Sequence, residues 1–339
     1  YFTRNFGKGS FFCRKEIRER SNAYGKRNFA SRLKFTPLKI KIGTRGSKLA
    51  LWQANETRER LQNLGVEVEI IIIKTQGDKI QHLSFDKMEG KGFFTKEIEE
   101  KLLNCEIDLA VHSHKDLETQ QPDGLSIVAV SERKDPSDIL LIKRSNVDEG
   151  QIFNLKKNAV VGTSSARRKS QLLFFRPDLQ IIDLRGNVPT RINKLRTENY
   201  DAIMLASAGV ERLKLDVSDL HSEKQDPKEF IPAAAQGVLA WQTRKEDTEI
   251  IRIVQELNNE EVAKRIEIER GILKACNGGC QLPLGVFCEG KNDFDLWVSH
   301  ATDLNSELKR FHLNGNDSGK LINEAMNIIK GEKKSFNNP

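Results

Sequence analysis

The chain has 339 residues, 38% hydrophobic and 30% charged, enough for two or three domains with separate cores and without any apolar run long enough to span a membrane. Five cysteines with no CxxC pair argue for reduced thiols and against a disulfide framework. The formal charge of +7 is concentrated in residues 1–36, where ten Lys and Arg face two Glu, so the rest is near neutral and ill suited to coating nucleic acid.

That basic leader lacks the apolar core of a secretory signal and is poor in acids. It fits an organelle transit peptide, a disordered leader or upstream sequence, and it takes no part in the fold reading.

From Leu38 onward short β-branched runs alternate with helical patterns. "LKIKIG" reads as a strand, and the next segment as a helix capped by Ser47 and closed by Gly65. "VEVEIIIIKT" is a strand, "FFTKEIEEKLLN" a helix and "IDLAVHS" a strand. The order repeats with "NAVVGT", "SSARRKSQLLFF", "LQIIDLRG", "VPTRINKLRTEN" and "YDAIMLAS". "GTRGS" and "GTSSA" each follow a strand and open a helix, and "EIDLAVHSHKDLE" echoes "NYDAIMLASAGVE". The reading is two similar α/β domains facing each other across a cleft, where such proteins bind ligands. After "FIPAAAQGVLAWQTR" one helical stretch leads to "NGGCQLPLG", then short strands and a closing helix form a small α+β third domain.

The basic residues of the body cluster at strand-to-helix junctions. Arg45 lies before the first helix, Arg167 and Arg168 in the first turn of another, Arg185 at a strand end, Arg191 on the next helix and Arg212 after a further strand end. A cation in a helix's first turn opposes the macrodipole, so Arg167 and Arg168 call for a carboxylate partner. "VHSHKDLE" ends a strand with Ser113, Lys115 and Asp116, an arrangement suited to acid–base work or to stabilising a cation. His112 and His114 share a strand face, but no third ligand follows at a metal-binding spacing, so no metal is expected. Gly278 and Gly279 leave the thiol of Cys280 approachable. No nucleotide-binding loop is present.

The stretches "IGTRGSKLALWQA", "GKGFFTKEIE", "DLAVHSHKDLE", "ERKDPSD", "VGTSSARRKSQL", "LRGNVPTRINKL", "IMLASAGVERL", "PAAAQG" and "NGGCQLPLG" occur in one order across the body. In this the chain resembles the porphobilinogen deaminase (hydroxymethylbilane synthase) family. The resemblance implies two periplasmic-binding-protein-like α/β domains plus a small α+β C-terminal domain. The expected boundaries are 1–36 for the leader, 37–132 plus 237–256 for domain 1, 136–231 for domain 2 and 258–332 for domain 3.

It also implies one dipyrromethane cofactor per chain, joined to Cys280 by a thioether. Four porphobilinogen molecules would be added head to tail with loss of ammonia, and hydroxymethylbilane released by hydrolysis. By the same resemblance Asp116 is catalytic. Ser47, Ser113, Lys115, Thr163, Ser164, Ser165, Arg167, Arg168, Arg185 and Gly186 contact the cofactor. Arg45, Gln53, Lys91, Arg191 and Arg212 bind substrate or promote elongation. The expected partner is porphobilinogen, with no nucleic acid and no membrane, and the expected form is a monomer in the cytoplasm, or in a plastid or mitochondrion if the leader is a transit peptide.

Two departures stand out. Ala235 replaces the first glycine of an expected Gly-Gln-Gly turn, and Gln242 stands where a glutamate is more usual, which puts interdomain motion in question. The competing reading is a non-catalytic anion-binding protein of the same two-domain fold, which needs neither Cys280 nor Asp116.

Overall fold

A computed structural model describes residues 38–75, 95–278, 282–304 and 306–331. The leader, Lys91 and Cys280 lie outside the described residues.

Strand periodicity builds the first sheet. In β1 (Lys39–Arg45), Ile40 and Ile42 are fully buried while Lys39 and Lys41 are exposed, the period-two alternation of a strand with one covered face. Helix α1 (Lys48–Asn63) packs on that face; its N-terminus is capped by the Ser47 hydroxyl, which accepts from the Ala50 N–H at 3.3 Å. The chain continues through β2 (Glu67–Ile73), α2 (Lys96–Leu103), β3 (Leu109–Ser113) and β4 (Leu125–Val130). The sheet is completed far along the sequence by β10 (Leu239–Arg244), which is antiparallel to both β3 and β4. The order is β2-β1-β3-β10-β4.

The second sheet repeats this plan. It contains β5 (Asp138–Lys143), β6 (Val160–Gly162), β7 (Gln180–Ile182), β8 (Ala202–Ala206) and β9 (Leu220–Lys224) in the order β7-β6-β8-β5-β9. β6 stands where β1 stands, and β5 takes the antiparallel place of β10. Each sheet thus runs second, first, third, inserted strand, fourth. The inserted strand is the one the chain forms on crossing from the other sheet, so the echo seen in the sequence is a repeated topology. Leu140 and Ile142 face one core with α3 (Ala166–Phe175), while Ile139 and Leu141 face the other with α4 (Val188–Thr197) and α5 (Ser207–Arg212). Each such fully buried aliphatic side chain contributes about 1.5–3 kcal/mol.

The region after β10, one helical stretch by its sequence pattern, forms two helices. α6 (Thr248–Gln255) ends before Asn259, whose side chain caps α7 (Glu260–Ala275). An asparagine accepts from the Val262 N–H more readily than it continues a helix, and that breaks the run. α7 and α8 (Ser318–Lys330) cover one face of the antiparallel sheet β11 (Leu284–Gly290), β12 (Phe294–His300) and β13 (Lys309–Gly315) around a separate core. Cys276 and Cys288 are free thiols, as expected, whereas Cys105 is disulfide-bonded, which corrects the expectation of reduced thiols.

Candidate active site

The carboxyl ends of the parallel strands carry the site. β3 ends at Ser113 and passes into a 3-10 turn, His114–Asp116. β6 leads through Thr163 and Ser164 to Ser165, which caps α3 by accepting from the Arg168 N–H at 3.5 Å. Ser164 ties that loop to the segment after β7: its hydroxyl donates to the Leu184 carbonyl and accepts from the Leu184 N–H, both at 3.1 Å. Buried Thr163 accepts from the Ser165 N–H at 3.3 Å. These three polar residues shape the loop through bonds to its own backbone and to the Leu184 backbone.

Arg167 and Arg168 are buried, and the carboxylate their position demands is supplied by the protein. Asp138, fully buried at the start of β5, takes Arg167 Nη1 at 2.7 Å and Arg168 Nη2 at 2.7 Å. Further bonds run from Arg167 to the Ile231 carbonyl and from Arg168 to the Met204 carbonyl. The two guanidiniums hold the Asp138 carboxyl far below the usual carboxylate range even though burial opposes this.

Lys115 comes to the same cluster from the first sheet. Burial pushes its ammonium down to about 8; Arg168 and Arg167 act in the same direction, and Asp116 and Asp138 oppose them. Asp116 itself is exposed at the tip of the turn. Arg191, near the start of α4, donates from Nε to the Gly186 carbonyl at 2.7 Å. Burial lowers Arg191 to about 10, with Arg168 and Arg185 adding to the effect and Asp116 opposing it. Gly186 has φ +115°, and a Cβ there would lie 2.7 Å from Thr190. Lys115, Asp116, Arg167, Arg168, Arg185 and Arg191 therefore form one electrostatic group with an excess of positive charge.

On the first sheet, buried Gln53 donates from its amide to the Ser113 hydroxyl at 2.8 Å, tying α1 to the end of β3. Arg45 ends β1, one turn from the Ser47 cap. Arg212 stands apart from the group and ends α5 rather than following a strand. Its guanidinium lies 5.5 Å from the Trp52 ring centroid and donates to the Gly237 carbonyl at 2.8 Å. A cavity of about 490 Å³ opens there between α1 and α5, lined by Lys48, Trp52, Asn55, Arg212 and Lys214 among others.

The pair His112 and His114 does not share a strand face, because His114 belongs to the turn. His112 Nε2 is paired with Gln242 Oε1 at 3.1 Å, and among the described residues no group of three His, Cys, Asp or Glu is placed to hold a metal.

Sequence reasoning missed the residues that fix this geometry. Arg270 on α7 donates to the carbonyls of His114, Leu117 and Glu118, clamping the turn that presents Asp116. Arg133 and Glu269 form a buried pair at 2.6 Å, and Glu269 also accepts from the backbone N–H of Ala235 and of Cys288. Asp138 lay inside the quoted "ERKDPSD" stretch. For Arg270 and Glu269 the only signal was charge within a helical run.

Fold and site together define a class: a two-sheet α/β protein with an arginine-rich group at the carboxyl ends of its strands, suited to an anionic ligand. The family model described as "Porphobilinogen deaminase, dipyromethane cofactor binding domain" matches residues 40–252. Relatives named porphobilinogen deaminase include that of Trichlorobacter lovleyi, 45% identical over 73% of this chain and 78% of that protein. Another is that of Nitratiruptor sp., 42% identical over 87% of this chain and 95% of that protein. A periplasmic binding protein of Salmonella typhimurium overlays with a TM-score of 0.38 at 10% identity, covering 65% of this chain and 91% of that one, too loosely to carry an argument. The chain belongs to the porphobilinogen deaminase family.

Proposed function

We infer that this chain is a transferase of tetrapyrrole biosynthesis that condenses four porphobilinogen molecules head to tail, releases ammonia at each addition and yields hydroxymethylbilane. Membership of the family carries this reading, and the excess of positive charge around Asp116 supports it. The alternative, reversible anion binding, is not favoured.

The dipyrromethane group of the family suits the residues present. Burial lowers Arg191 and Lys115 most and the neighbouring guanidiniums add to it; the group holds more cations than Asp116 and Asp138 balance, which suits the carboxylates that pyrroles carry. Cys280 would hold the group, with Ser47, Ser113, Lys115, Thr163, Ser164, Ser165, Arg167, Arg168, Arg185 and Gly186 around it. When bound it supplies the pyrrole carbon to which the first substrate is joined.

The protein's own side chains do the rest. Arginine forks bind acetate and propionate groups and orient each porphobilinogen; Arg45, Gln53, Lys91, Arg191 and Arg212 are assigned to that work. As the aminomethyl C–N bond breaks, positive charge develops on the pyrrole, and the Asp116 carboxylate stabilises it. Lys115, cationic below about pH 8, balances the carboxylate when no substrate charge is present.

The three sheets with their helices support the assignment of domain 1 to residues 37–132 plus 237–256, domain 2 to 136–231 and domain 3 to 258–332. A monomer in the cytoplasm, without nucleic-acid partners, completes the proposal. Among the described residues no helix is long and apolar enough to cross a membrane.

The test is the intact mass of the purified protein beside a Cys280→Ser control. An increase equal to two linked pyrroles, absent from the control, establishes attachment. A protein that stays unmodified after incubation with porphobilinogen, and releases no ammonia, overturns the reading.

A further inference from the structure

The chain crosses from the first sheet to the second through residues 131–137 and returns through residues 225–238. At the return, Ala235, Gln236 and Gly237 are buried and constrained from several directions. Ala235 has φ +63°, and Gly237 has φ +89° with no room for a Cβ, which would meet the Lys134 carbonyl at 2.5 Å. Gly237 also receives Arg212 Nη2 at 2.8 Å.

Gln236, fully buried between them, uses every polar group it has. Its N–H donates to Ala233, and its carbonyl accepts from Arg133 Nε at 3.0 Å. Its side-chain amide nitrogen donates to the carbonyls of Pro136 at 2.8 Å and Ser137 at 3.2 Å and to Asp138 Oδ1 at 2.9 Å. Its side-chain oxygen then has one fixed direction, and it accepts from Lys115 Nζ at 3.2 Å.

We propose that Gln236 is a positioning residue: its amide, anchored to Asp138 at one end, holds the Lys115 ammonium at the other and so registers the turn bearing Asp116 against the Arg167–Asp138–Arg168 cluster. The proposal rests on the functional reading above and adds to it the residue that joins the two halves of the site. An amide suits the task. It offers a donor toward Asp138 and an acceptor toward Lys115 in one rigid plane, which neither a carboxylate nor an aliphatic chain can do.

The groups facing Lys115 are known: Asp116 and Asp138 favour its charged form, Arg167 and Arg168 disfavour it, and burial lowers it to about 8. A neutral acceptor from Gln236 favours the charged form without adding a charge. Two substitutions separate positioning from simple packing. Gln236→Met keeps the volume and loses both ends of the amide. Gln236→Glu also loses the donor toward Asp138 but retains, and strengthens, the acceptor toward Lys115.

The experiment follows Lys115 in the cofactor-loaded protein by NMR of lysine labelled at Cε, with Lys115→Arg to assign the signal, together with kcat and KM for porphobilinogen. The expected results are a lower Lys115 midpoint in Gln236→Met than in the wild type and a higher one in Gln236→Glu. In Gln236→Met, kcat should fall about tenfold to a hundredfold while KM changes little. A double-mutant cycle with Lys115→Met should be strongly non-additive in kcat. A Lys115 midpoint left unchanged by both substitutions overturns the proposal. So do shifts of the same sign in both variants, or additive effects in the cycle, because a packing role predicts those. The NMR midpoints are independent of turnover, so failure of the functional reading would show separately, as absent cofactor mass and absent ammonia release.

Discussion

Asp138 and Arg168 meet through two bonds to one carboxylate oxygen, Nη2 at 2.7 Å and Nε at 3.2 Å, while Arg167 takes the other oxygen at 2.7 Å. All three side chains are buried. The arrangement leaves one net positive charge inside the protein, at the first turn of a helix whose dipole repels it. Such a triad is a weak source of stability, because desolvation offsets most of the attraction. Its value lies in holding two guanidiniums in one orientation.

Removing the shared partner exposes that balance. Asp138→Ala leaves two adjacent buried cations, and the expected cost is about 3–5 kcal/mol in urea unfolding at neutral pH. A loss below about 1 kcal/mol would show that water or other groups replace the carboxylate.

Asp116 sits at the tip of a clamped turn and is exposed, so its removal should leave the fold intact. Asp116→Ala is expected to retain the cofactor mass while turnover falls by about 10²–10³. Normal ammonia release from this variant would sink the role assigned to the carboxylate.

Two buried histidines make the protein sensitive to acid. Burial lowers His112 from 6.5 to about 4, and burial with Arg270, His112 and Arg133 nearby lowers His114 well below 6.5. Below pH 6.5 the unfolded chain binds protons that the folded chain refuses. Stability should therefore fall from about pH 6.5 toward about pH 4, with each group adding a slope approaching about 1.4 kcal/mol per pH unit. Neither ring nitrogen of His114 has a hydrogen-bond partner among the described residues. His114→Met should then raise stability by about 1 kcal/mol at neutral pH and flatten the acid slope, both read from urea titrations. A lower stability would mean that the imidazole has a partner such as a bound water.

Ala235 occupies a left-handed conformation at φ +63° with its methyl fully buried beside Val130, Val238 and Val262. Ala235→Gly relieves about 1–2 kcal/mol of strain. It also loses a buried methyl worth about 0.8 kcal/mol and adds about 0.5–1 kcal/mol of chain entropy. The expected net change in unfolding free energy is within about 1 kcal/mol. A loss above about 2 kcal/mol would show that the methyl, rather than the backbone, dominates at this turn.

Gln242 donates to Glu99 at 3.0 Å and to Gln121 at 2.7 Å, and pairs through its oxygen with His112. Gln242→Glu removes the donor and sets a second carboxylate against Glu99. The expected cost is about 1–3 kcal/mol at neutral pH, shrinking as acid protonates the new group. An unchanged unfolding midpoint would refute this account of why glutamine stands here.

The alternation of Ile40 and Ile42 with Lys39 and Lys41, the caps at Ser47 and Ser165, and the echo of "GTRGS" in "GTSSA" were enough to read two α/β units, because they arise from contacts within a few residues. The motifs that carry the family resemblance are likewise continuous stretches of chain. The unexplained arginines in the first turn of α3 were visible too, since the helix dipole makes their placement costly wherever the helix lies. The residue that answers them was not identifiable: Asp138 is 29 positions from Arg167, and its burial exists only once β5 inserts between β8 and β9. The same holds for Gln236 and Lys115, 121 positions apart, and for Arg270 on the carbonyls of the Asp116 turn. Local periodicity and capping determine elements. Which charged groups share a low-dielectric site depends on how distant elements pack, and that is decided only by the tertiary structure.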